Sequence, residues 1–322
     1  MKPMIRFLHN NEMDLHQWDA CIEKSPNGLA YAYSWYLNRV APGWGALVEG
    51  SYDTVMPLPI RKKAGIQYVY QPHFVQQLGI FGKNSHQEEV CDRFMEAVVK
   101  KFAWVDYHLN SHNMLSRTSH ICKPQRGVTH LLDLVETYEQ LRAGYSRNTR
   151  RNLAKAARKG VFILKNANPQ EIIDAFRLNK GKSLGVFGPK DYATLKHLIY
   201  QALQLGLVQI YSAYDARNSF CGGIVMMQNH HKAILLFTGS TDEALENGAM
   251  FALIDDYIRQ HAGKVMVLDF EGSLDENLGR FYKGFGSKEC VFLRVKYSRL
   301  PFGAEALLQV ARFIRRFLSK CF

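Results

Sequence analysis

Residues 145–161 read YSRNTRRNLAKAARKGV. Ser146 has the side chain of a helix N-cap and Gly160 the freedom of a C′ residue, so the stretch predicts a helix of about four turns. At 3.6 residues per turn, Arg147, Arg150, Arg151, Lys155 and Arg158 share one side, and Tyr145, Thr149, Leu153, Ala156 and Ala157 the other. The small, mostly apolar side suits close packing on a sheet. The opposite side presents cations alone. A face that is merely solvated gains from mixed i,i+4 ion pairs, and there is no acid here to make one. Arginine outnumbers lysine, and its planar fork suits phosphate or carboxylate. The face reads as anion-facing, with a plain solvated face as the alternative.

The surrounding charge is just as uneven. Residues 142–165 hold eight Lys/Arg and no acid, and the last twenty residues hold four against Glu305. Together they supply eleven of the twelve excess positive charges, which leaves the rest near neutral. Two basic faces on a neutral globular body imply that those particular surfaces meet something anionic.

At 322 residues and 47% hydrophobic, the chain can bury a large core and has the length of two ordinary domains. The opening MKPMIRFLHNN has no apolar run of signal-peptide length, and no stretch has the ~18 uncharged apolar residues of a membrane span. The expected location is the cytosol. Cys21, Cys91, Cys122, Cys221, Cys290 and Cys321 form no CxxC pair and read as buried thiols. Neither His108 with His112 nor His230 with His231 has a third ligand at metal-site spacing, so no metal is expected.

Periodicity predicts helices over 15–24, 31–39 and 87–101, and strands over 44–49, 53–59, 65–70 and 128–134. Beyond the basic helix it predicts a strand over 161–164 and helices over 169–180 and 192–205, the two helices joined by a Gly-rich stretch. An antiparallel run over 208–214, 222–228 and 233–238 follows. A helix over 248–261, a strand over 265–270, a helix over 277–284 and a strand over 291–296 complete the order. Hairpins followed by helix, strand, helix and strand point to α+β, with one mixed sheet per domain. The expected boundary lies near 134–145.

Near the C-terminus, residues 268–289 read LDFEGSLDENLGRFYKGFGSKE. The basic stretch 145–161 resembles the helix that opens the second domain of FemABX-type aminoacyltransferases and their GNAT-like relatives, and 268–289 resembles the strand and helix that close that domain. RFYKGFG is similar to a helix-to-strand motif of many GNAT acyltransferases. The resemblance is best over 141–297. It implies two tandem GNAT-like domains, each a mixed, mostly antiparallel sheet flanked by helices: a degenerate first domain over 1–140, a transferase domain over 141–300, and an amphipathic C-terminal helix over 301–322.

What the resemblance implies for chemistry is transfer of an acyl or aminoacyl group, from acyl-CoA or charged tRNA, to an amine such as that of a cell-envelope precursor. Such a reaction needs an anion site for the donor, a neutral amine and a polarised carbonyl. Asn247, Gly248, Ala249 and Met250 open a helix directly after a strand and turn, where free amides bind phosphate. ALENGAMFA departs from the GNAT pattern of Arg or Gln followed by a Gly-rich turn, and an ordinary capped helix start explains it as well. Asp269 and Glu271 flank Phe270 at a strand end, where alternation puts both acids on one face to manage the acceptor amine. Capping the next helix and pairing with Lys or Arg is their alternative role. Tyr282 sits where many GNAT enzymes carry a Tyr that protonates the leaving thiolate, with a Tyr packed in the core as the alternative. Arg147, Arg150, Arg151 and Arg158 are the candidates for a phosphate-bearing substrate.

From Glu305 to Phe322 an apolar arc faces Arg312, Arg315, Arg316 and Lys320. This pattern fits an anionic membrane surface as well as packing on the parent domain or a second subunit, and it would place the protein at the inner face of the membrane. The class that competes with an enzyme is a non-catalytic adaptor, which keeps the fold and binds nucleic acid or membrane through its basic helices.

Overall fold

The computed structural model describes residues 4–63, 65–116, 124–229, 231–272 and 275–300. Its contacts divide the chain into two units. One holds the described residues up to Gly127 together with those from Val291 on, and the other is Val128–Cys290. The expected boundary at 134–145 thus lies inside the second unit. The expected 141–300 domain also runs past that unit, because the last strand, Lys288–Ser298, pairs its far half with Trp104–His108 of the first.

In the first unit, Asp14 caps the helix Leu15–Lys24 by accepting from the amides of His16 and Gln17 at 3.0 and 3.1 Å. An antiparallel sheet runs in the order Ile5–His9, Gly45–Glu49, Thr54–Leu58 and Phe81–Gly82. A second ladder joins Ile60–Lys63, Ile66–Val69, Trp104–His108 and Lys288–Ser298. The strands Ile5–His9, Ile60–Lys63, Phe81–Gly82 and Trp104–His108 have no counterpart in the sequence reading. The predicted helix over 31–39 is instead a 3-10 turn, Ala30–Ala32, followed by the helix Ser34–Val40. Trp18 and Trp44 meet edge to face at 4.7 Å in the core, with Trp18 Nε1 donating to Ala32 O at 2.8 Å.

In the second unit the strand order is Gln125–Asp133, Val267–Asp269, Lys232–Ser240, Phe220–Asn229, Val208–Tyr214 and Phe162–Lys165. Every neighbouring pair is antiparallel except Lys232–Ser240 with Val267–Asp269. A parallel pair needs a crossover, and the helix Ala249–His261 supplies it. The pairing lasts only from Lys232↔Val267 to Ile234↔Asp269. Beyond Ile234 the longer strand runs on to Ser240 without its parallel neighbour, so a seam opens at the carboxyl end of Val267–Asp269.

The basic helix spans Arg147–Arg158, with Ser146 Oγ accepting from Thr149 N–H at 3.1 Å. Its buried residues are Thr149, Asn152 and Ala156; Ala157 is exposed, so Asn152 stands on the packed side where Ala157 was expected. Tyr145 packs edge to face on Phe285 at 5.4 Å. The four described cysteines, Cys21, Cys91, Cys221 and Cys290, are free thiols, and burial raises those of Cys21 and Cys91 to about 11. No helix among the described residues is long and apolar enough to cross a membrane. The amphipathic helix expected over 305–322 lies outside the described residues.

Candidate active site

The two motifs read from the sequence meet in space. Ser146 N–H and the Thr149 hydroxyl both donate to Gly284 O, at 2.9 and 2.8 Å. The start of the basic helix is thereby docked on the end of Glu276–Lys283, the RFYK helix. A Cβ at Gly284 would lie 2.5 Å from Thr149 Oγ1, which is why glycine stands there. Asp275 caps the RFYK helix through the amides of Asn277 and Leu278, so neither Asp269 nor Glu271 serves as its cap.

The acids do not share a strand face. Val267–Asp269 ends at Asp269, and Glu271 takes a left-handed φ of +49° that breaks the alternation. Such a conformation is costly for a residue with a Cβ and clusters at functional positions. Asp269 is fully committed. Its Oδ1 accepts from the Thr129 hydroxyl and from Glu271 N–H at 3.0 Å, and its Oδ2 lies 3.5 Å from Lys232 Nζ. The bonds fasten Gln125–Asp133, Val267–Asp269 and Lys232–Ser240 at the point where the seam opens.

Glu271 is different. Its Oε1 is buried without a hydrogen-bond partner, and burial pushes its carboxyl up to about 8. Tyr282 is buried too, stacked on Phe270 at 4.9 Å. Burial, reinforced by the charges of Glu271 and Asp269, holds the Tyr282 hydroxyl well above its ordinary range and therefore protonated.

His130 completes the group and carried no signal in the sequence. It is 1% exposed, its ring centroid is 5.8 Å from that of Tyr282, and neither ring nitrogen has a partner. Burial lowers its pKa, which keeps the imidazole neutral. Gly272 makes room for it, and Gly279 lies at ordinary contact distance. A Cβ at Gly272 would run into Nδ1, and one at Gly279 would sit 3.6 Å from Nε2. A pair of glycines ten and three residues before Tyr282 is a spacing that could have been noticed, but nothing local connects it to a histidine 142 residues upstream of Gly272. Buried, unsatisfied polar atoms are rare in folded proteins, and three belong to this one cluster.

The Asn247–Met250 helix start offers little to an anion. Asn247, Gly248 and Ala249 are buried. Gly248 N–H donates to Ala244 O, Ala249 N–H to Asn247 Oδ1, and the Phe251 and Ala252 amides to Gly248 O. Asn152 O of the basic helix lies 2.5 Å from where a Gly248 Cβ would be, so the other helix covers this turn. By contrast, Arg147, Arg150, Arg151 and Arg158 are exposed and have no ion pair among the described residues. An open groove of about 490 Å³ beside Lys165, Gln209, Gln260 and Lys264 includes none of the cluster residues.

No family model matches the chain, and no curated protein sequence matches it. Solved structures do. FemX is 13% identical with a TM-score of 0.57, the match covering 90% of this chain and 97% of that one. The C-terminal domain of a putative lysylphosphatidylglycerol synthetase from Agrobacterium fabrum is 14% identical with a TM-score of 0.53, covering 92% and 94%. L-PGS from Bacillus licheniformis is 11% identical with a TM-score of 0.54, covering 92% and 95%. At such identities the likeness is one of fold: this chain shares the fold of FemX and of the lysylphosphatidylglycerol synthetase domain.

Proposed function

We propose that the chain is an acyltransferase in the broad sense, moving an acyl or aminoacyl group from a CoA thioester or an aminoacyl-tRNA to an amine, with a cell-envelope precursor as the acceptor class. The observation that carries this reading is the raised carboxyl of Glu271, with its Oε1 buried and partnerless, beside the neutral Tyr282 hydroxyl at the open end of the parallel pair. A carboxyl raised to about 8 is far closer to an amine than an ordinary glutamate, so it takes a proton from the attacking amine at less cost. The C–N bond forms, the C–S or C–O bond of the donor breaks, and Tyr282 gives its proton to the departing sulfur or oxygen. Asp269 acts by holding the loop that presents Glu271. The fold shared with FemX and the lysylphosphatidylglycerol synthetases supports transfer in general, and their names favour an aminoacyl donor.

On this reading the phosphates of donor or acceptor lie on Arg147, Arg150, Arg151 and Arg158, since the Asn247–Met250 turn is covered. Full-length protein is incubated with acetyl-CoA, longer acyl-CoAs or charged tRNA and a panel of amines, and products are read by mass spectrometry. Turnover is expected with one donor class, and Tyr282→Phe is expected to lower it by roughly 10²–10⁴-fold while donor binding survives. Turnover unchanged in Tyr282→Phe removes that residue from the mechanism.

The unpaired arginine face favours one second reading, a non-catalytic adaptor for an anionic partner. Arg150→Ala/Arg151→Ala is expected to weaken binding of a phosphate-bearing ligand and to flatten its salt dependence, by about two units of slope for a duplex polyanion. If binding falls in that variant and no donor is ever turned over, the adaptor reading replaces the enzyme.

A further inference from the structure

Between the helices Pro169–Phe176 and Pro189–Gln204 the chain makes a π-helical turn, Arg177–Gly181, and a short helix, Lys182–Leu184, that ends at a left-handed Gly185. Residues 177–190 contain Arg177, Lys180, Lys182 and Lys190 and no acid. All four cations are exposed, and none has an ion pair among the described residues. The same segment exposes three aliphatic side chains: Leu178 at 72%, Leu184 at 47% and Val186 at 36%. At about 1.5 Å per helical residue, Leu178 and Leu184 lie roughly 9 Å apart along the axis, so the exposed aliphatic side chains and the cations belong to one short surface segment.

The patch is held out by a firm base. Phe187 packs on Phe176 at 5.9 Å and on Tyr192 at 6.0 Å, and Phe176 packs on Phe237 of the sheet at 4.8 Å. The Arg177 guanidinium lies 5.7 Å from the Tyr192 ring centroid. Asn179 Nδ2 donates to Ser240 O at 2.8 Å, tying the turn to the end of Lys232–Ser240. The aromatic rings of the segment turn inward, and aliphatic side chains face the solvent.

A ligand for this patch must be anionic and must also accept aliphatic side chains. Nucleic acid meets the first condition, but it is gripped by aromatic stacking platforms rather than by leucine and valine. A second copy of the chain would set like charge on like charge. The segment 305–322, with four Lys/Arg against one acid, would do the same. An anionic bilayer meets both conditions, because aliphatic side chains enter the acyl boundary while Lys and Arg stay at the phosphate level. We propose that residues 177–190 form a membrane-docking surface for anionic lipid, with Leu178, Leu184 and Val186 as anchors and Lys180 and Lys182 among the phosphate contacts. Through Asn179 and Ser240 it sits at the end of the strand that borders the open seam, so docking sets that strand end toward the lipid. The proposal concerns binding alone and stands whether or not the chain transfers acyl groups.

The test is co-sedimentation of the full-length protein with vesicles of phosphatidylcholine alone or mixed with phosphatidylglycerol. The protein is expected on the mixed vesicles and not on the neutral ones, with binding that falls as salt rises. Leu178→Ser/Leu184→Ser is expected to cut partitioning at least tenfold with an unchanged melting temperature, since both side chains are exposed in the fold. Lys180→Glu/Lys182→Glu is expected to cut it at least as much, at about fivefold per charge removed. Wild-type protein that ignores mixed vesicles overturns the proposal. So does wild-type-like binding by both folded variants, which would assign the membrane contact to another basic segment.

Discussion

Glu271→Gln is expected to slow transfer by roughly 10²–10⁴-fold and, at neutral pH, to stabilise the protein. The two effects share one cause. Folding raises the Glu271 carboxyl to about 8 by burying it. Between the ordinary glutamate value and about 8, the folded chain therefore holds a proton that the unfolded chain has lost. Stability from this group is fully present below the unfolded value, declines as pH rises through the window, and levels off above about 8. A glutamine carries no such penalty. It adds an N–H pair that needs partners in a dry site, which trims the gain at pH 7 to roughly 1–3 kcal/mol. Turnover has the opposite slope, because only the ionised carboxylate takes a proton from the amine. Wild-type rate should climb with pH through about 8, and the variant should lose that limb. Denaturant midpoints and rates across the same pH series test both halves. A wild-type stability that stays flat across the window would show that Glu271 is ionised in the fold, and the acid–base assignment would fall with it.

Gly248→Ala is expected to destabilise the second unit strongly. Gly248 sits at φ +78° as the hinge between the helices Glu243–Asn247 and Ala249–His261. A Cβ there meets the Asn152 carbonyl oxygen at 2.5 Å, and that oxygen is backbone of the basic helix. Left-handed alanine alone costs about 1–2 kcal/mol, and the clash must shift one helix against the other. A total loss of roughly 3 kcal/mol or more is expected. Gly206→Ala is the matched control: φ is +69° with nothing within 4 Å of its Cβ, so it should show the conformational part alone. Equal losses at the two sites, read by denaturant midpoint, would mean that the basic helix does not bear on Gly248. An excess at Gly248, with faster amide exchange over 147–158, is the expected result.

Much of the second unit was legible because its determinants are local. Ser146, the small residues of one face and Gly160 specify the basic helix without reference to the rest of the chain. Apolar runs bounded by turn residues do the same for Val208–Tyr214, Phe220–Asn229 and Lys232–Ser240. The RFYKGFG segment carried its helix in its own spacing. Four of the described strands of the first unit escaped, among them Ile60–Lys63, exposed along most of its length, and the two-residue Phe81–Gly82. Ile5–His9 is half exposed along its length, and Trp104–His108 alternates around a charged centre; each is strand by virtue of its neighbours.

The candidate site was legible only in part, for the same reason. Sequence alone picked out Asp269, Glu271 and Tyr282 within one strand-to-helix segment, and a purely cationic helix face. Tertiary structure decided what each is worth. It engaged Asp269 with Thr129 and Lys232, left Glu271 Oε1 without a hydrogen-bond partner, and brought in His130 against Gly272. It also covered the Asn247–Met250 turn with Asn152. Residue type and spacing determine which groups are available along a chain; burial and hydrogen-bond competition, which set their proton affinities, arise only when distant segments pack against one another.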